Sequence, residues 1–148
     1  MPSDNIKNLN WSEFDRGIFL VNVLGVVYDP KTRQILIGLR KADPYIQKLS
    51  WAFPGGRPAY VEDLEYYLRH EIKKKTGLEV EVKKIIFAKT YPENRKFLSI
   101  YYYCEVLGGE EKMGEKFTEI KWVKPSDVQK YFTTSIHPTL LNYLKSID

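Results

Sequence analysis

The chain of 148 residues is long enough for one domain with a buried core. Hydrophobic residues make up 43% of it and charged residues 28%, which is ordinary for a globular protein, and its longest apolar runs are too short to span a membrane. The single cysteine, Cys104, excludes an internal disulfide and, without a secretory signal, predicts a cytoplasmic protein. The net charge of +4 suits an anionic partner but is a weak signal alone.

The first predicted elements follow a polar segment, residues 1–16, which we expect to be an arm or an edge segment. A run of branched apolar residues predicts a buried strand over 17–28, and the turn residues after it predict a hairpin with a second strand over 34–40. Residues 41–50 are predicted to form a loop. No segment reads as a linker, so residues 1–148 are predicted to form a single domain.

A helix is predicted over 62–77, because its start and stop signals agree. Acidic residues crowd the first turns, and Gly77 follows the last turn as a left-handed cap. Leu64, Leu68 and Ile72 lie at i, i+4 and i+8, so they form the apolar stripe that faces the core.

Alternating and apolar segments predict further strands after this helix. The predicted strands are 78–82, 85–91, 96–107 and 117–123, with a charged loop over 108–116. A short helix is predicted from Pro125 and an amphipathic helix over 139–147. Strands around a central helix, with more helix at the end, predict an α/β or α+β sandwich around a mixed sheet.

The segment 51–78 carries the most specific pattern in the chain. It contains Trp-Ala-Phe-Pro-Gly-Gly, and the second glycine, Gly56, is followed at fixed offsets by Glu62, Glu71, Gly77 and Leu78. This spacing resembles the Nudix box, in which a Gly-Gly loop leads into a helix that carries glutamates. The resemblance runs from about residue 17 to residue 123. It implies the Nudix fold, an α/β/α sandwich around a mixed β-sheet, and hydrolysis of nucleoside diphosphates linked to another group.

The resemblance also implies a magnesium site, and this chain departs from the family there. In the family, helical glutamates at i, i+3 and i+4 chelate Mg²⁺, which neutralises the diphosphate and activates a water. Here Glu71 is present, but Lys74 and Lys75 stand where the paired glutamates are usual. One carboxylate beside two ammonium groups is expected to form a self-neutralised cluster. We therefore predict that magnesium-dependent hydrolysis is weak or lost.

Two interpretations of these lysines stay open. In the first, Lys74 and Lys75 are solvated, complement the dipole at the helix C-terminus, and Lys75 pairs with Glu71. In the second, one of them takes the place of the metal and binds a substrate phosphate directly. Lysine can bind phosphate as a point charge but cannot generate hydroxide from water. Glu71 itself is either such a structural partner or a surviving metal ligand and catalytic residue.

The resemblance implies further site residues near the Gly-Gly loop. Gly55 and Gly56 are candidates for substrate binding, and Gly56 is also a candidate metal ligand. Arg40, at the end of the second predicted strand, and Arg57, just after the glycines, are candidates for contact with substrate phosphates.

Carboxylates outside the box could complete the site. The charged loop and the strand after it supply Glu115 as a candidate metal ligand and Glu119 as a candidate catalytic residue, at a place where the family often has a further acidic group.

These observations predict a Nudix hydrolase-like protein that binds a nucleoside diphosphate derivative. The alternative is a non-catalytic module that binds a nucleotide or RNA, since 11 tyrosines and a basic balance permit base stacking and phosphate contact. No membrane partner is expected. Members of the family often dimerise, so a homodimer is an open alternative.

Overall fold

The computed structural model describes residues 16–40, 51–60, 62–114 and 116–148. Over these residues, seven strands form one sheet. The strands are β1 (Leu20–Asp29), β2 (Gln34–Arg40), β3 (Trp51–Ala52), β4 (Gly55–Gly56), β5 (Leu78–Tyr91), β6 (Asn94–Gly109) and β7 (Phe117–Val123). The helices are α1 (Leu64–Thr76), a 3₁₀ helix (Pro125–Lys130) and α2 (Pro138–Ser146).

The sheet is mixed, and its main path of neighbouring strands has the order β3-β2-β1-β6-β5. The central pair, β1 and β6, is parallel, with Leu20 opposite Phe97 and Tyr28 opposite Glu105. The other pairs are antiparallel, and β4 and β7 are additional partners of β1 and β2. The predicted mixed sheet is therefore confirmed.

Alternation along the central strands gives the sheet an apolar surface on each side. Leu36 packs in the cluster that contains Leu68 and Ile72 of α1. Its neighbours Ile35 and Ile37 point the other way, into the cluster that contains Leu140 and Leu144 of α2. The sheet is therefore covered by α1 on one face and by α2 on the other, as the predicted α/β/α sandwich requires.

Helix α1 is capped at both ends, and the left-handed cap at Gly77 is the one that the sequence predicts. The Asp63 carboxylate accepts a hydrogen bond from the Tyr66 backbone N–H at 2.7 Å, and Gly77 adopts the left-handed conformation with φ of 78°. Leu68 and Ile72 are fully buried, so the predicted apolar stripe faces the core. The helix begins two residues later and ends one residue earlier than the predicted span of 62–77.

Strand β5 differs from the prediction of two separate strands over 78–82 and 85–91. It is continuous from Leu78 to Tyr91, because register shifts between Val82 and Lys84 and between Ile85 and Phe87 absorb the break in alternation. The predicted arm, apart from residue 16, and the predicted loop over 41–50 lie outside the described residues. In the described part of the chain, no helix is long and apolar enough to cross a membrane.

Candidate functional site

The Gly-Gly loop lies directly on strand β1. Gly55 pairs with Leu24 and Gly56 with Val23, while the Gly25 N–H donates to the Pro54 carbonyl oxygen at 2.8 Å. A Cβ on Gly55 would overlap the Val23 carbonyl oxygen and lie 2.9 Å from the Leu24 Cα. Only glycine permits this approach of two backbones, so the loop is held in a fixed position at the site.

One face of α1 points at this loop. A Cβ on Gly56 would overlap the Tyr67 hydroxyl and lie 3.6 Å from Glu71 Oε2, so both side chains border Gly56. With Lys75, they lie at i, i+4 and i+8, which places all three on one side of the helix. Burial, followed by the charge of Glu71, raises the pKa of Tyr67 to about 12, so its hydroxyl is a neutral donor.

Tyr67 was not among the predicted site residues. The signal that could have found it is its spacing of four residues before Glu71.

Lys75 is buried and links the helix to the loop. Its side chain is 11% exposed, and its Nζ lies 3.5 Å from Glu71 Oε2. The same ammonium donates to the Gly55 carbonyl oxygen. The interpretation of Lys75 as a solvated residue is therefore wrong, whereas the predicted pairing with Glu71 is confirmed.

Lys74 behaves differently from its neighbour. Its side chain is 55% exposed, and its Nζ lies 3.8 Å from Glu71 Oε1, whereas the Glu71 side chain is only 16% exposed. A pair with one partner so open to water contributes little stability. For Lys74, the interpretation as a solvated residue at the helix end agrees with the structure.

Two further positive charges, those of Lys116 and Arg40, lie near enough to Lys75 to affect its pKa. Burial lowers the pKa of Lys75, the charge of Glu71 opposes this shift, and the charges of Lys116 and Arg40 add to it. The charge of Arg57 acts in turn on Tyr67. We call Arg40, Arg57, Lys75 and Lys116 the basic cluster. The structure thus brings both predicted arginines toward the helix face that carries Glu71.

The charged loop reaches this site by capping α1. The Gly114 N–H donates to the Lys75 carbonyl oxygen and the Lys112 N–H to the Thr76 carbonyl oxygen, both at 2.9 Å. These bonds satisfy carbonyls that a helix end leaves open. The prediction looked in this loop for carboxylates and missed Lys116. Glu115, the predicted metal ligand, lies outside the described residues.

Glu119 lies on the other face of the sheet. Along β7, Ile120 packs into the cluster under α1, whereas Val123 packs into the opposite cluster. Because side chains alternate along a strand, Glu119 shares the face of Lys121, whose Nζ lies 3.9 Å from Glu119 Oε2. The Lys121 Nζ also lies 5.8 Å from the centre of the Trp51 ring. The structure therefore does not bring Glu119 together with Glu71, as the predicted catalytic pair would require.

Among the residues that the structure describes, the oxygen donors at this site do not fit a magnesium ion. Mg²⁺ needs carboxylate or carbonyl oxygens that are open to it. Both oxygens of Glu71 face ammonium groups, and the Gly55 carbonyl already accepts from Lys75. Within the ranges that the structure describes, no three His, Cys, Asp or Glu side chains gather where they could hold a metal ion.

Known proteins resemble this chain in both sequence and fold. The model of the NUDIX domain matches residues 19–144. The nucleoside triphosphatase NudI of Escherichia coli is 31% identical over 93 residues, a match that covers 55% of this chain and 66% of NudI, so the chain spans just under two thirds of that relative.

Two solved structures share the fold at low identity. An ADP-ribose pyrophosphatase from Streptococcus suis has a TM-score of 0.65 at 16% identity, with 85% of this chain and 90% of that chain covered. A NUDIX hydrolase from Nitrosomonas europaea has a TM-score of 0.72 at 17% identity, with 88% and 72% covered. Because the family model matches most of its length, the chain belongs to the NUDIX family.

Proposed function

We propose that this protein binds a nucleoside diphosphate derivative by its phosphates, between the Gly55–Gly56 loop and helix α1, and that its magnesium-dependent hydrolysis is weak or lost. The observation that carries this proposal is the position of Lys75. Its ammonium lies between Glu71 and the Gly55 carbonyl, where relatives with an intact box carry a glutamate.

The charge around the loop favours a phosphate ligand. The basic cluster contributes four cationic side chains; the charge of Glu71 acts on Lys75 and Tyr67, and that of Glu62 acts on Tyr67. Cationic side chains grouped beside the loop attract an anion, and charge-assisted bonds to phosphate oxygens are strong. The neutral Tyr67 hydroxyl beside Gly56 adds a donor that needs no charge of its own.

The relatives support a nucleotide as the carrier of those phosphates. NudI is called a nucleoside triphosphatase, and the structural neighbour from S. suis is called an ADP-ribose pyrophosphatase. Both names refer to enzymes that act on nucleotide phosphates. We extend this ligand class to the present chain and leave the choice among its members to experiment.

Weak hydrolysis follows from what an ammonium group can do. When bound, Mg²⁺ neutralises the diphosphate and lowers the pKa of a water that attacks phosphorus. Lys75 can neutralise a phosphate oxygen, but it cannot bind a water as a metal does. Glu71 could act as a general base only after it left Lys75, which would leave both charges with fewer partners at a site where each is mostly buried.

Binding and turnover should be measured side by side. ADP-ribose, a nucleoside triphosphate and a nucleotide sugar should be titrated into the protein by calorimetry, once with EDTA and once with MgCl₂, and phosphate release should be followed under the same conditions. We expect affinity for at least one ligand in EDTA, with little product in MgCl₂. Fast magnesium-dependent turnover that Glu71→Gln abolishes would overturn the proposal.

The alternative predicted from the sequence, a module that binds without catalysis, corresponds to this proposal with hydrolysis absent. RNA binding and dimerisation stay predictions from the sequence.

A further inference from the structure

A groove with a volume of about 320 Å³ lies between the start of helix α1 and strand β5. Val80 and Val82 of β5 line it together with Leu107 of β6 and with Tyr66 of α1, which is 42% exposed. Neither Glu71 nor the Gly-Gly loop lines this groove, so it is separate from the site of the proposed function. We call it the α1–β5 groove. Its volume is at the small end of the range for ligand pockets, which suits a few side chains.

Leu107 is open to the groove because β6 carries an extra residue at this point. In the pairing with β5, Gly108 lies opposite Glu79, and the next pair is Val106 with Val80. Leu107 is left between these pairs, as in a β-bulge, which re-aims a side chain. It is 68% exposed. The groove therefore presents apolar surface that α1 does not cover.

Strand β5 also offers backbone groups at this groove. In the described part of the chain, β5 pairs with β6 alone and ends the main path of strands, so its outer edge has no strand partner. An extended peptide can add to such an edge through backbone hydrogen bonds. Lysines and register shifts discourage edge pairing, and in β5 both begin after Val82, with Lys83 and Lys84. Residues 78–82 are therefore the part of this edge that is suited to a partner.

The charge of the groove is opposite in sign to that of the whole chain. Three carboxylates, those of Asp63, Glu65 and Glu81, line it with one cation, Arg69, although the net charge of the chain is +4. The Arg69 guanidinium carbon lies 5.6 Å from the centre of the Tyr66 ring. No ion pair joins Glu65 or Glu81 to another described residue. The groove thus combines an apolar floor with carboxylates that favour a cationic ligand.

We propose that the α1–β5 groove is a docking site for an extended segment of a partner protein that carries lysine or arginine between apolar side chains. The backbone of this segment would pair with residues 78–82, its apolar side chains would contact Leu107, and its cations would lie near Glu65 and Glu81. The lining carboxylates repel the phosphates of a nucleotide or RNA, so this inference goes beyond the proposed function and does not depend on it.

The basic residues of β5 itself are already engaged, which favours a different protein over a second copy of this chain. Lys83 Nζ lies 3.0 Å from Glu105 Oε1, and Lys84 Nζ lies 5.5 Å from the centre of the Tyr143 ring. A second copy that offered these lysines would have to give up both contacts and pair at its own register shift.

A short acetylated peptide of alternating lysine and valine is the probe, and a peptide with glutamate in place of lysine is its control. Binding should be measured by fluorescence anisotropy of the labelled peptide. The groove variant is Glu65→Lys/Glu81→Lys. Its matched control, Glu119→Lys/Glu110→Lys, makes the same change in net charge at exposed residues outside the groove, and all four glutamates are exposed, so folding is preserved.

We expect the wild type to bind the lysine peptide and not the glutamate peptide. The groove variant should bind it at least about tenfold more weakly, while the control variant stays within about threefold. On binding, the backbone amide NMR signals of residues 78–82 should shift. The inference is overturned if the wild type does not bind the lysine peptide, or if both variants weaken binding equally, which would mean unspecific attraction. It is also overturned if light scattering shows a dimer that only the groove variant dissociates, because the occupant would then be a second copy.

Discussion

The substitution Lys75→Met removes the ammonium and keeps most of the aliphatic stem. Met is close in volume to the buried part of lysine, so the change acts mainly on the polar contacts. Two contacts are lost, one to the Gly55 carbonyl oxygen and one to Glu71 Oε2 at 3.5 Å. The cost of burying a charged amine in the folded state also disappears, and this change favours the variant.

These contributions set the size of the expected effect. A hydrogen bond from a charged donor contributes about 1.5–3 kcal/mol, and a mostly buried carboxylate without its partner adds about 1–3 kcal/mol. Relief of the ammonium desolvation offsets part of this loss. We therefore expect Lys75→Met to lower the free energy of unfolding by about 1–3 kcal/mol. In a domain of this length, that corresponds to a fall in melting temperature of about 2–12 °C.

Urea denaturation at pH 7 measures the effect, with Lys74→Met as the control. Since Lys74 is mostly exposed, its loss should change the free energy of unfolding by at most about 1 kcal/mol. Glu71→Met/Lys75→Met completes a double-mutant cycle and should be less destabilised than the sum of its single variants by at least about 0.5 kcal/mol. Equal effects of the two lysine substitutions, or an additive cycle, would refute the reasoning.

Three further outcomes are expected. Gly55→Ala should lower the free energy of unfolding, measured by urea titration, by more than about 3 kcal/mol, because the new Cβ would overlap the Val23 backbone. In the control Gly108→Ala the new Cβ meets nothing within 4 Å, so the free energy of unfolding should change by at most about 0.5 kcal/mol. Burial raises the pKa of the Cys104 thiol from 9.0 to about 12, so at pH 8 its thiolate is about 10³-fold scarcer than in the unfolded chain. Iodoacetamide should therefore label Cys104 only in urea, and rapid labelling of the native protein would contradict its burial. Because the folded thiol keeps its proton to a higher pH than the unfolded one, the protein should also lose stability as the pH rises from 9 to 12. Glu119→Gln should leave nucleotide affinity within about twofold of the wild type in calorimetry, since Glu119 lies on the face opposite α1; a tenfold loss would place it in the site.

Elements whose signals are local could be predicted from the sequence. Strands β2 and β7 have the predicted bounds, because alternation and turn residues lie within the segments themselves. The left-handed cap at Gly77 follows from the residue type and the end of the apolar stripe. The spacing of Gly56, Glu62, Glu71, Gly77 and Leu78 indicates the family, and the family model confirms it.

Features that depend on contacts between distant segments could not be predicted. Lys75 follows other lysines at a helix end, a pattern typical of solvated residues, and its burial depends on Gly55, which is 20 residues away in the sequence. Lys116 reaches the site because the preceding loop caps α1, and the residue types in that loop do not predict this capping. The alternation of β7 gave two faces for Glu119 but no information on which of them carries α1.

The most direct test asks whether Lys75 supplies the positive charge that relatives obtain from a metal. It compares the affinity for ADP-ribose in EDTA between the wild type, Lys75→Met and Lys74→Met. We predict that the wild type binds equally well in EDTA and in MgCl₂, and that Lys75→Met binds at least about tenfold more weakly in EDTA while Lys74→Met stays within about threefold. Binding by the wild type that requires MgCl₂, or an affinity that Lys75→Met leaves unchanged, would contradict this role of Lys75.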